Sequence, residues 1–284
     1  MKKSLILLLT LLVSASVAGA QETTEKEYLP KKGDWAVGFD VSPILRVIGG
    51  IGAGDLKLGG VPWLTDNTTN LMPELSVNAK YMLSDKLGIK ANVGLLLRSD
   101  SEAEFARDDA EYANNPLSDA KVEDRKHTFN SGISLMAGAE YRVGRKKVQG
   151  VFGAGVLFAL QNTTTSYNYG NAMTSLNQSP SVGITNYTYN GGRKLSENGN
   201  PFYYAGLIGS MGVEWFVAPK ISLGAQVDLS AYAIFKSKRY VDSERYDPAS
   251  GTVEKRTDLM QPSSVDFHIG TDSISGSINM VFYF

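Results

Sequence analysis

The sequence predicts an all-β protein: an eight-stranded antiparallel up-and-down transmembrane β-barrel with four long loops and three short turns. Three observations carry this. Eight segments alternate apolar and polar residues at period two, the connections between them alternate long and short, and aromatic residues gather at both ends of the apolar faces. Period-two alternation follows from strand geometry, in which successive side chains point to opposite faces.

The first alternating run begins at Gly33. Trp35, Val37, Phe39 and Val41 face one way, and Ala36, Gly38, Asp40 and Ser42 the other. Residues 47–70, rich in Gly, Thr and Asn, read as the first long loop. The second strand sets Leu75, Val77, Ala79 and Tyr81 against Glu74, Ser76, Asn78 and Lys80, and Ser84-Asp85-Lys86 turns tightly into the third. There Leu87, Ile89, Ala91, Val93, Leu95 and Leu97 oppose Gly88, Lys90, Asn92, Gly94 and Arg98. The two runs form a hairpin. Ser99 to His127 is charged and reads as the second loop.

The fourth strand carries Phe129, Ile133, Leu135, Ala137, Ala139 and Tyr141 on its apolar face, with Glu140 and Arg142 opposite. After the turn Gly144-Arg145-Lys146-Lys147 comes a fifth, with Val148, Phe152, Ala154, Val156, Phe158 and Leu160. Asn162 to Pro201 is the longest loop. The sixth strand runs through Tyr203, Leu207, Met211, Val213 and Trp215, with Glu214 on its polar face. Ala218-Pro219-Lys220 then turns into a seventh, with Leu223, Val227, Leu229 and Phe235 opposite Asp228. Ser237 to about Asp272 is the fourth loop. Ser273 to Phe284 closes the chain, placing Ile278, Met280, Phe282 and Phe284 on one face. A sandwich's edge strand could end in the same way.

The aromatic rings decide between the two. Trp35, Tyr81, Tyr141, Trp215, Phe282 and Phe284 lie beside short turns or chain termini, while Phe129, Phe158, Tyr203 and Phe235 lie beside long loops. Phe129 to Tyr141 is twelve residues, as is Tyr203 to Trp215. At ~3.3 Å per residue and a strand tilt of ~40° each pair spans roughly 30 Å along the normal, the thickness of a bilayer core. Loops this long are uncommon in compact soluble domains.

The N-terminus agrees. Lys2 and Lys3 precede an apolar core, Leu5 to Val13, too short to span a bilayer, and Ala18-Gly19-Ala20 offers a small-x-small cleavage site. Residues 1–20 therefore read as a signal peptide, 21–32 as a polar lead and 33–284 as the barrel. Cleavage would remove two of the 28 basic residues, leaving 26 against 29 acidic ones, so no basic excess points to nucleic acid. The chain has no cysteine, which excludes disulfides, thiol catalysis and a lipoprotein anchor. Nothing in the sequence calls for a cofactor.

Strand count, belts and terminal Phe resemble the small eight-stranded OmpA/OmpX-like barrels of bacterial outer membranes. The chain differs from OmpA in lacking a peptidoglycan-binding domain after the barrel. The resemblance implies an integral outer-membrane protein with both termini in the periplasm, surrounded by outer-membrane lipid and lipopolysaccharide. It also implies that the C-terminal strand, with Phe284, Phe282 and Met280, is read by the outer-membrane assembly machinery.

The lumen face collects Asp40, Glu74, Glu140, Glu214 and Asp228 with Lys80, Lys90, Arg98 and Arg142. An eight-stranded interior is just wide enough for side chains to fill, so these groups are expected to pair as a plug. Enzymatic readings are weaker. His127 and His268 are the only imidazoles; Phe129 stands where a lipid A deacylase would carry serine two residues on. Asp266-Phe267-His268 resembles half of an omptin protease site, without a matching aspartate pair. Among the loops, the second holds nine acids against four bases, and Tyr167, Tyr169, Tyr187 and Tyr189 offer the third a ligand-binding surface. The expected role is non-enzymatic: structure, adhesion or envelope integrity, with an extracellular protein or glycan as ligand. A narrow ion or small-solute channel is the alternative, and an outer-leaflet lipid-modifying enzyme or protease the third.

Overall fold

Each alternating run predicted from the sequence becomes a strand, and most run longer than the alternation alone foretells. The computed structural model describes residues 28–41, 65–66, 69–70, 75–144, 146–199 and 201–284. The expected signal peptide, the start of the expected lead, most of the first long connection, Glu74 and Arg145 lie outside the described residues.

In chain order the strands are β1 (Trp35–Asp40), β2 (Thr65–Asp66), β3 (Thr69–Asn70), β4 (Leu75–Met82) and β5 (Leu87–Arg107). A short helix α1 (Asp109–Asn114) follows, then β6 (Lys121–Val143), β7 (Val148–Asn168), β8 (Thr188–Tyr189) and β9 (Gly192–Asn198). The remainder are β10 (Phe202–Ala218), β11 (Ile221–Lys236), β12 (Arg239–Asp247), β13 (Thr252–Gln261) and β14 (Ser264–Tyr283).

Eight of these close an antiparallel ring. β1 pairs with β4, β4 with β5, β5 with β6, and β6 with β7. β7 then pairs with β10, β10 with β11, β11 with β14, and β14 returns to β1. The seam is the last strand against the first, through Val37↔Phe282 and Phe39↔Met280. At its end the Phe284 and Trp35 backbones exchange two hydrogen bonds of 2.9 and 3.0 Å. A closed ring leaves no unpaired edge among these segments.

The outer face is apolar and exposed. Leu97 and Leu207 are each 65% exposed and Met211 61%. Trp35 stacks beside Tyr81 at 4.7 Å between centroids, and Tyr203 pairs across strands with Phe235. Rings therefore sit together at both ends of the apolar band, as the sequence spacing requires.

The long connections differ from expectation. Ser99 to His127 is not a loop: β5 and β6 stay paired from Ser99↔Phe129 to Arg107↔Lys121. That extension projects roughly 25 Å beyond the upper aromatic belt at ~3.3 Å per residue. At its tip lies α1, a helix where none is expected, with the Asp108 carboxylate accepting from the Ala110 and Glu111 amides. Nor is the third connection wholly a loop. β7 continues to Asn168, but its partner there is β9, through Thr165↔Glu197 and Ser166↔Ser196. The fourth loop is the β12–β13 hairpin, and β14 starts at Ser264 rather than Ser273. Upper β5, β6 and β7, then β9, β12 and β13, form one continuous sheet. These stretches carry no apolar alternation because the face they bury is built largely of polar groups, such as Asp124, Tyr167, Arg193 and Glu197; charge pairs such as Lys126–Glu102 (3.1 Å) flank the strands.

Candidate functional site

Alternate residues of every barrel strand point inward and fill the lumen in layers. At the short-turn end Ala36, Met82, Phe216, Val281 and Tyr283 form a buried cluster, with Tyr28 and Leu29 packed against it. The lead is thus partly a lid. The Lys220 amide donates to the Tyr28 carbonyl at 3.3 Å, the Lys147 ammonium lies 3.8 Å from the Tyr28 ring centroid, and Lys220 pairs with Asp34.

Lys80, Glu140 and Glu214 stand two residues further from the turns than Met82, Arg142 and Phe216. The Arg142 guanidinium, 1% exposed, lies 3.0 Å from Glu140 and also bridges to Glu214. It donates to the Tyr283 hydroxyl and, at 3.5 Å, to Gln149. Lys80 sits 3.0 Å from Glu140 and 3.8 Å from Glu214. The Tyr283 hydroxyl donates to Glu214 at 2.9 Å, and Ser222 Oγ donates to the same carboxylate. Only a guanidinium, with five donors in a fixed fork, can hold two carboxylates, a phenol and an amide at once.

Above this layer the Lys90 ammonium donates to Ser210 Oγ at 2.9 Å. It passes over Gly153, where an added Cβ would come within 2.9 Å of Lys90 Nζ and 2.4 Å of Ser210 Oγ. Gly38 makes the same room for the Asn78 amide. Asp40, Asn78, Lys90, Ser134 and Asp228 line a cavity of about 80 Å³, and the Gln226 amide donates to Asp228. Toward the long-loop end a second apolar cluster closes in: Leu157, Ala159, Tyr204, Ile208 and Tyr232.

The structure therefore brings Lys80, Glu140, Arg142 and Glu214 into one network and places Lys90, Asp40 and Asp228 around the adjoining cavity. Arg98 stands apart, half-exposed at the lumen mouth and paired with Asp100 at 2.8 Å. Sequence reading puts Gln149 and Ser222 on the polar faces of the fifth and seventh strands without naming them to the charged set, and misses Tyr283 and Phe216. Parity with Val281 and Glu214 could have found the two rings, but Phe and Tyr, read by type alone, go to the apolar outer face.

At the long-loop end, charges and tyrosines act as cement. Asp124, fully buried, accepts from the Gly170 and Gly183 amides at 2.8 Å each. Asn171 donates to the Arg107 and Ser181 carbonyls. Tyr167 is buried, not displayed: its hydroxyl donates to Glu197 at 3.2 Å and its ring stacks on Tyr169 at 6.4 Å. Tyr169 in turn donates to the Lys194 carbonyl and lies under Arg193 at 4.2 Å. His127 shares a 2.8 Å hydrogen bond with Ser99, His268 stacks on Tyr232 at 5.3 Å, and Asp266 pairs with Lys236.

Asp109 fixes the tip. Burial by itself would raise its pKa, but bonds from the Ser181 amide, Asn177, the Ser181 hydroxyl and Arg107 outweigh this and lower it from 3.8 to about 2. A carboxylate lowered in the folded state contributes stability that is complete above the unfolded value and lost as pH falls through the folded one. Amide protection across 171–181, corrected for intrinsic exchange, should hold from pH 7 to about 4 and fall between about 4 and 2. Protection lost already at pH 5 would contradict this anchoring.

No protein-family model matches the chain, and no curated protein matches it. Among solved structures it is similar to the outer membrane protein OprG from Pseudomonas aeruginosa, at TM-score 0.40 and 11% identity over 90% of this chain and 98% of that one. It is also similar to Ail, the attachment invasion locus protein of Yersinia pestis, at 0.35 and 10% over 89% and 98%. A major outer membrane protein from Thermus thermophilus gives 0.34 and 13% over 89% and 98%. The fold assignment rests on the closed ring of strand pairs, not on these likenesses.

Proposed function

We propose that the chain is an integral outer-membrane β-barrel with a non-enzymatic, structural and interaction role. Its lumen is plugged by its own side chains, and its long connections project outside the cell as a rigid sheet that docks an extracellular protein or glycan. The observation that carries this is the sheet itself. Three long connections join into one surface ending at β13, whose described partner is β12 on one side only. An edge strand presents backbone donors and acceptors to an extended segment of a partner. Leu117 and Leu176, 89% and 98% exposed, add apolar contact points on the same connections.

The membrane placement is supported by the exposed apolar band, since a soluble monomer rarely shows a contiguous apolar surface larger than a few hundred Å². Both chain ends, at the short-turn side, then face the periplasm. The polar cavity in the lumen favours a second reading, a narrow ion path. Planar-bilayer recording separates the two: a plugged barrel should be near-silent, and steady unitary conductance from the wild type would replace the plug with a channel.

A further inference from the structure

We propose that the outer edge of β13 pairs antiparallel with the same strand of a second copy of this chain on a facing membrane. The proposal rests on the docking role argued above and names its partner. Among the described residues β13 pairs with β12 on one side only, so its other edge offers backbone donors and acceptors. Lys255, Arg256, Thr257 and Leu259 are exposed along it.

The order of charges along β13 selects both partner and register. In a two-fold antiparallel pair one residue faces its own copy, and its neighbours face one another reciprocally. Centring the pair on Glu254, Lys255, Arg256 or Asp258 sets that charge against itself. Centring it on Thr257 sets threonine against threonine and, twice over, Arg256 against Asp258. Lys255 then faces Leu259, and all of β13 except Thr252 is paired. Centres nearer the strand ends avoid like charges only by pairing half of the strand or less. Both partners in the bridge are available. Asp258 has no ion pair among the described residues. Arg256 is 48% exposed and gives one nitrogen to Glu254 at 2.9 Å, which leaves the rest of its fork to reach across.

Geometry sets the two barrels in opposed membranes. Residues opposite each other in a ladder share a face, which a two-fold axis preserves only when it stands perpendicular to the sheet. That axis reverses the strand. β13 belongs to the sheet that runs through β12 and β9 into barrel strand β7, so the second barrel points the other way. Two copies side by side in one membrane would place matching residues on opposite faces and break the ladder.

The test uses phospholipid vesicles carrying the folded protein. They should cluster, read as a rise in light scattering that empty vesicles lack. Arg256→Glu and Asp258→Arg should each abolish clustering, since each sets like charges together across the axis. Mixing vesicles of the two variants should restore it, because every reversed charge then meets its complement. The chain has no cysteine, so an introduced thiol reports the register directly. Under mild oxidation Thr257→Cys should give disulfide-linked dimers, and Leu259→Cys, two residues along the same face, should not. The heat-modifiable gel shift verifies that each variant is folded. Vesicles that stay dispersed, clustering that survives both single reversals, or Leu259→Cys dimers as abundant as those of Thr257→Cys would each overturn self-pairing. Planar-bilayer recording separates the two failures: a silent barrel on dispersed vesicles removes the second copy alone, whereas steady conductance removes the reading on which it rests.

Discussion

Replacing Arg142 with methionine is expected to destabilise the detergent-folded barrel by about 3–5 kcal/mol, the cost of breaking a buried ion pair, reduced where lumen water reaches the network. The substitution leaves Glu140 and Glu214 sharing Lys80 alone, at 3.0 and 3.8 Å, and removes the donor to Tyr283. Glu140→Ala should cost less, because Glu214 still holds Arg142 through its own bridge and a 2.9 Å bond from Tyr283 keeps Glu214 in place. Glu140→Gln should cost least, since the amide still accepts hydrogen bonds from Lys80 and Arg142. The readouts are the thermal transition and single-channel conductance, which should rise from a near-silent baseline as the plug loosens. An Arg142→Met barrel that melts and conducts as the wild type does would remove the network from any role in closing the lumen.

The second large effect separates a membrane barrel from a soluble one. Val156 and Val148 are equally exposed, 57% and 56%, on the same strand and the same outer face. Val156 sits mid-strand between Ala137 and Leu207, whereas Val148 pairs with Trp215 at the lower aromatic belt. In water the two positions are equivalent, and arginine at either should change stability little. In a bilayer, Val156→Arg should cost about 2–4 kcal/mol and Val148→Arg about 0–1. Refolding titrations into phospholipid vesicles measure both. Equal and small effects would sink the membrane-spanning reading.

Much of this architecture is legible in the sequence because a closed barrel with an apolar outer band imposes one rule on its strands. Outward residues of the band are apolar and every second residue is free to be polar, so Leu87 to Leu97 or Ile221 to Phe235 announce both strand and face. Closure is also readable, since alternating long and short connections admit an up-and-down ring. The lumen network is partly readable. Glu140, Arg142, Lys80 and Glu214 are charges on the polar face of otherwise apolar strands, and confinement leaves them little choice but to pair.

Beyond the belts the rule lapses. Between Ser99 and His127 the outer face meets water and the inner face buries polar groups such as Asp124, so apolar alternation carries no signal and a long hairpin reads as a loop. That β9 crosses from the third connection to pair with β12 of the fourth is a matter of long-range register, joined by contacts such as Arg193 with Glu244 and Ser196 with Asp242 that no local pattern encodes. The same holds for Tyr283. The sequence by itself determined that an aromatic stands next to the last residue; only the closed barrel decided that it points inward to bind Glu214 and Arg142. Parity is a local property of the strand, whereas a partner across a lumen exists only once eight strands have curved round to supply it.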